Sequence, residues 1–135
     1  MVKFEDIKVG DVVRYDGRVA RVMEKIGIRM DNTLPIIKVV GPNFYAKLHP
    51  SNVLLIESIE LPQLKVGNRV HVDEIPQYER RRDDGIWLDE MDAYIGKEYL
   101  VTELWNHSQL GPLAKLNGWW FRTYHLSKVS DYDII

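Results

Sequence analysis

The chain has 135 residues, of which 45% are apolar and 28% charged, with a formal net charge of -2, a composition that fits one ordinary soluble domain or two very small ones. Divided at Pro62, the halves carry 9 basic against 8 acidic residues and 9 against 12, so bulk charge marks neither as a nucleic-acid binder. With no cysteine, disulfides and thiolate metal sites are excluded. No apolar run approaches the roughly 20 residues needed to cross a bilayer. The opening MVKFEDIKVG lacks an apolar core of signal-peptide length, and a cytoplasmic protein is expected.

Taken in order, the elements are short β-rich runs between turn residues, with little helical periodicity. DVVRY stops at Asp16-Gly17, a tight-turn dipeptide. RVARVMEKI and a loop follow, then IIKVV, which is cut by Gly41-Pro42-Asn43. FYAKL, the link HPSN and VLLIE complete five strands. Pro62 then reads as part of a short, stiff linker, since proline fixes its own φ and lacks an amide donor. The second half runs NRVHV, a long segment, KEYLVTELW, then GPLAKL joined to NGWWF through Asn117-Gly118, and YHLSK leading to VSDYDII.

The halves echo each other. IKVGDVVRY at residues 7–15 matches LKVGNRVHV at residues 64–72, an offset of 57. GRVARVME at 17–24 matches GKEYLVTE at 96–103, an offset of 79, and YAKLHPSNV at 45–53 matches FRTYHLSKV at 121–129, an offset of 76. Three matches in one order point to duplication. The change in offset places 22 extra residues in one loop of the second copy, around 73–95. The expected architecture is all-β: two tandem five-stranded small barrels, at 1–61 and 62–135, the second with an insertion between its first two strands. In each, KVG followed by Asp11 or Asn68 reads as a turn in which glycine supplies a positive φ and the polar side chain bonds a nearby amide. His49 and His125, at equivalent places in the third match, are expected to bond a 3₁₀ turn before the last strand. Ser51 and Ser127 would cap it, and Val53 and Val129 would enter the strand.

The VGD-x-V opening of a five-strand unit resembles SH3-like small barrels, the group that includes KOW and Tudor modules. Within the second half, Met91, Tyr94, Gly96, Lys97, Val101, Thr102, Gly118, Trp119 and Trp120 resemble small SH3-like modules of bacteriophage and bacterial genomes. That resemblance implies the fold and a phage or bacterial setting, with no defined chemistry attached. It departs at Tyr124-His125-Leu126, where those modules end in an acidic residue and Met.

Candidate binding residues cluster in and around the insertion. Arg80, Arg81 and Arg82 form the one dense basic cluster, hemmed by Glu79, Asp83 and Asp84. These arginines could hold phosphates or contact a protein, or form a solvated hairpin tip. Trp87 reads either as a contact residue or, with Met91, as an anchor folding the loop onto the barrel. Trp119 and Trp120 are adjacent in a strand and must point to opposite faces, so one is expected inside and one outside, with Arg122 nearby. Tyr94, Tyr99, Trp105 and Phe121 could join an aromatic cage of the Tudor kind. No HExxH, Ca²⁺ loop, nucleophile elbow or phosphate loop appears. The expected function is therefore a non-enzymatic binding protein with no cofactor or metal. It would engage a protein partner, such as a host factor, through the insertion; nucleic-acid binding of the KOW or Tudor type is the alternative.

Overall fold

A computed structural model describes residues 4–27, 35–80 and 87–129. The chain is all-β with two five-stranded antiparallel sheets. It divides into two compact units: residues 1–60 with 107–111, and residues 61–106 with 112–135. The first sheet contains β1 (Val12–Tyr15), β2 (Arg18–Ile26), β3 (Ile36–Gly41), β4 (Phe44–Leu48) and β5 (Leu54–Glu57), in the order β4-β3-β2-β1-β5. The second contains β6 (Arg69–Val72), β7 (Glu98–His107), β8 (Gly111–Leu116), β9 (Trp119–Arg122) and β10 (Leu126–Lys128), in the order β10-β6-β7-β8-β9. Read from the edge formed by the fourth strand, the two orders are the same.

The two KVG turns have the same hydrogen bonds. Asp11 N donates to Lys8 O and Asn68 N to Lys65 O, each at 3.0 Å. Lys8 N donates to Asp11 Oδ2 and Lys65 N to Asn68 Oδ1, each at 2.8 Å. Gly10 and Gly67 have φ of 98° and 94°, a region where a Cβ is disfavoured, so glycine is required. Their amides donate at 2.8 Å to Val22 O and Val101 O, and Val22 and Val101 return bonds at 2.9 Å to Asp11 O and Asn68 O. These bonds reproduce the offsets of 57 and 79 atom for atom. The tight turns also form at the expected dipeptides: Asp16-Gly17 has φ of 49° and 74°, and Asn117-Gly118 has 49° and 92°. Two successive positive φ values match the twist of the flanking strands.

Asp11 does more than Asn68. It is fully buried, and its Oδ1 also accepts the Ile59 amide at 3.2 Å, while Lys8 Nζ donates to Ile59 O at 2.7 Å. The carboxylate thus ties the start of β1 to the chain after β5. Asp11→Ala leaves two amides without their acceptor, and a loss of about 3 kcal/mol is expected, against about 1 kcal/mol for Asn68→Ala. Urea unfolding followed by the amide signals of each unit checks both.

The third sequence match is out of register with the structure. The 3₁₀ turns are Pro50–Asn52 and Thr123–His125, so the residue before each turn is His49 in one unit and Arg122 in the other. His49 Nδ1 accepts the Ser51 amide at 3.1 Å and caps its turn; Ser51 does not. His125 closes its turn and Ser127 lies inside β10, its hydroxyl on the Asp73 carboxylate at 2.9 Å. The last strand consequently begins at Leu126 and ends at Lys128, where the sequence reading starts it at Val129; residues 130–135 of that expectation lie outside the described residues. A short motif of His, Ser and Val aligned by letters had slid three residues past the geometry.

Each unit has its own core. In the first, Ile7, Val13, Val22, Ile37 and Val39 are fully buried, with Ala20, Leu48 and Val53 around them. The second is built on Val70, Val72, Val101, Ala114, Leu116 and Phe121. The alternation of β1 and β6, with Val13, Val70 and Val72 inward, follows the two-residue period of a strand with one covered face. On β3, the Lys38 ammonium lies 3.1 Å from Glu24. Burial lowers the Lys38 pKa, but the hydrogen bonds and charges of Glu24 and Tyr45 together outweigh it and the net shift is upward. A raised lysine pKa adds stability that is present below the unfolded value of 10.5 and is lost as pH rises through the folded value. Glu24→Gln should lower the Lys38 pKa, as read by an NMR titration of its side chain.

Candidate binding face of the second unit

The segment joining β6 to β7 is long because it completes the core. Ile75, Trp87, Met91 and Tyr94 all belong to the buried cluster. A 3₁₀ helix at Asp89–Tyr94 turns Met91 and Tyr94 inward together. The Trp87 ring is 1% exposed and meets Phe121 edge to face at 5.6 Å. Its Nε1 donates to Asp92 Oδ1 at 2.6 Å, satisfying the one polar atom of a buried indole. Asp92 is also 3.4 Å from Arg80 Nη1.

A second anchor is polar. Glu79, 2% exposed, and His125, 5% exposed, meet at 3.1 Å between Oε1 and Nε2. Near the surface, Asp73 takes the Ser127 hydroxyl and lies 3.2 Å from His71 Nδ1. Asp73 and Glu79, both in the first part of the segment, thus tie it to the sheet. Trp87 acts as an anchor, and its ring offers no surface to a partner.

The other candidates separate in the same way. Arg122 is 2% exposed, inside the unit. Arg80 is half-buried beside Asp92, and Arg81 and Arg82 lie outside the described residues. Trp119 packs partly against the core. Trp120, on the opposite face of β9, meets Trp105 edge to face at 5.7 Å. This is the division that strand alternation expects. Of the proposed cage rings, Tyr94 stacks on Tyr99 at 4.5 Å and lies 5.5 Å from Phe121, whereas Trp105 stands with Trp120 on the outer face. The rings form two groups and not one cage.

The outer face is built by strand register. Lys115 on β8 is directly opposite Trp120 on β9, and its ammonium lies 5.6 Å from the centre of the Trp120 ring. Glu103 is 3.9 Å from the same ammonium. Trp105 is half exposed, at 50%, although it is one of the largest apolar side chains in the protein. Leu100 and Leu104 on β7 are also exposed. In the first unit, the corresponding partner of β3 is Tyr45, opposite Val40. Sequence reasoning considered Trp105 only as a cage member and missed Lys115. The alternation of Glu103 and Trp105 along β7, in phase with each other, is the signal that would have found this face.

Beside this face lies a cleft of about 510 Å³ lined by residues that include Leu61, Leu64, Leu104, Trp105, Pro112 and Leu113. None of its lining residues is charged. Among the described residues, no three His, Asp or Glu side chains are grouped as a metal site would require, and no helix is long and apolar enough to cross a membrane. No protein-family model matches the chain, and no curated protein matches its sequence.

Proposed function

We propose that this is a non-enzymatic binding protein made of two duplicated SH3-like barrels, and that the second engages a protein partner through the face carrying Trp105 and Trp120. The observation that carries this reading is the half-exposed Trp105, paired with the partly buried Trp120, beside an uncharged cleft. Tryptophan is enriched among residues that dominate binding energy at protein interfaces, and an exposed apolar patch rimmed by Lys115 and Glu103 has the make-up of such a surface. Identical turn bonds and strand order in the two units support duplication and the small-barrel fold. A phage or bacterial accessory protein acting on a host factor in the cytoplasm fits the resemblance in the second half.

The contact surface differs from the one the sequence suggests, because the insertion spends Trp87 and Tyr94 on the core. Nucleic-acid binding of the KOW or Tudor type has less behind it. Arg122 is buried and Arg80 sits beside a carboxylate, and among the described residues the cation seen against the indole pair is Lys115, with Glu103 next to it.

The test is capture from bacterial lysate by immobilised protein and by Trp120→Ala. Because Trp120 is on the outer face, the variant should keep its thermal unfolding midpoint within a few degrees. Recovery of the specific partner should fall about tenfold or more, the effect of losing a residue worth roughly 2 kcal/mol. Equal recovery by both proteins overturns the assignment of the face. Retention of DNA or RNA that falls steeply with salt would favour the nucleic-acid reading.

A further inference from the structure

The outer face of the second unit already holds a cation against an indole. Lys115 Nζ lies 5.6 Å from the centre of the Trp120 ring and 3.9 Å from a carboxylate oxygen of Glu103. The Trp120 ring in turn meets that of Trp105 at 5.7 Å. Contacts thus link one carboxylate, one ammonium and two indoles in a single group. The face of an indole attracts cations more strongly than that of any other aromatic side chain.

The first unit carries the same acid and lysine in a different state. Glu24 and Glu103 each lie two residues beyond the valine that bonds the KVG turn, and each faces a lysine on the next strand. Glu24 is 3.1 Å from Lys38, and its side chain is 13% exposed. Glu103 is 3.9 Å from Lys115, and its side chain is 59% exposed. The residue opposite the lysine also differs: Lys47 on β4 against Lys38, and Trp120 on β9 against Lys115. In the first unit the pair is closed and serves the sheet. In the second the carboxylate is open to solvent, its ion pair is long, and an indole stands where the first unit has a like charge. An exposed pair of that kind contributes little, so another cation can take the lysine's place with little loss.

We infer that Glu103, Trp105 and Trp120 receive an arginine side chain of the partner, and that Lys115 occupies this seat in the free protein. A guanidinium is planar, so it can stack on an indole while two of its N–H groups donate to one carboxylate. Trp105 is half exposed and stands two residues beyond Glu103 on β7, which sets a ring beside the carboxylate. A phosphate backbone would meet Glu103 as a like charge. A purely apolar segment would desolvate the carboxylate without matching it. The inference rests on the reading of this face as a protein-binding surface and names the side chain that it selects.

A library of random short peptides displayed on phage, selected on the immobilised full chain, is the probe. Arginine should be enriched at one position of the selected peptides, above lysine. Replacing that arginine with citrulline, which keeps the shape and removes the charge, should weaken binding about tenfold. Glu103→Gln should lose about as much. Lys115→Met, which removes the internal competitor and keeps an unbranched side chain on the indole, should tighten binding about threefold. Selected peptides without arginine, or no enrichment at all, overturn the inference. So do arginine peptides that bind Glu103→Gln as tightly as the parent, or that bind Lys115→Met more weakly. Peptides without arginine that no longer bind Trp120→Ala refute only the arginine and leave the face standing. Arginine peptides that depend on Glu103, alongside unchanged partner capture by Trp120→Ala, refute only the reading of the face as the contact with the whole partner.

Discussion

Trp87→Ala is expected to unfold the second unit at temperatures the first survives. The side chain is 1% exposed and packs on Phe121 and, at 6.2 Å edge to face, on His125. Truncating a buried tryptophan costs about 3–5 kcal/mol through lost transfer energy and the cavity left behind. The indole Nε1 also leaves Asp92 without a donor at 2.6 Å, although Asp92 keeps Arg80 at 3.4 Å. A small domain has little stability to spare, so a loss of this size removes most of it. Trp87→Phe should be milder, because it keeps the aromatic packing and sacrifices one hydrogen bond. Thermal unfolding followed by unit-specific amide signals should show the second unit's transition displaced and the first unit's Gly10, Val22 and Lys25 signals unmoved. Intact second-unit signals in Trp87→Ala would mean that Trp87 is not the anchor described.

The same variant explains why deleting the insertion cannot test binding. A deletion of residues 76–90 removes Glu79 and Trp87 together and so removes core. Point changes on the outer face are the informative ones.

What the sequence made legible was local. Asp-Gly and Asn-Gly turns declare themselves because few residues tolerate two successive positive φ values, and the KVG turns because their glycines and polar side chains have one geometric use. The offsets of 57 and 79 held since both are anchored by backbone bonds to such turns. The offset of 76 failed because His, Ser and Val are common letters with several uses: His49 caps a turn, whereas His125 reaches a buried glutamate 46 positions away. The site was hidden for a related reason. A tryptophan in a loop and one in a strand look alike in sequence, and which becomes core depends on contacts remote in the chain, such as Trp87 on Phe121. Arg122 reads as a surface cation by type and is buried, whereas His49, the residue ahead of the corresponding turn, is not.

The Glu79–His125 pair should prove as important as Trp87, by a different mechanism. Burying polar groups is costly unless they are matched, and both side chains are almost fully enclosed. Removing one partner takes from the other its buried contact at 3.1 Å, and an unmatched buried polar group costs about 1–3 kcal/mol. Glu79→Ala should therefore destabilise the second unit strongly, and His125→Ala comparably. The double variant should cost clearly less than the two singles added, with a coupling of roughly 1–3 kcal/mol, since the penalty for an unmatched buried group is then absent. A cavity effect alone would make the losses additive, so additivity in urea unfolding would reduce the pair to two independent packing residues. Non-additivity would show that the segment between β6 and β7 is held to the sheet by a matched polar contact as well as by Trp87. That attachment sets what the second unit can present, because it commits Trp87 to the core, while Trp105, paired with the partly buried Trp120, stays half exposed.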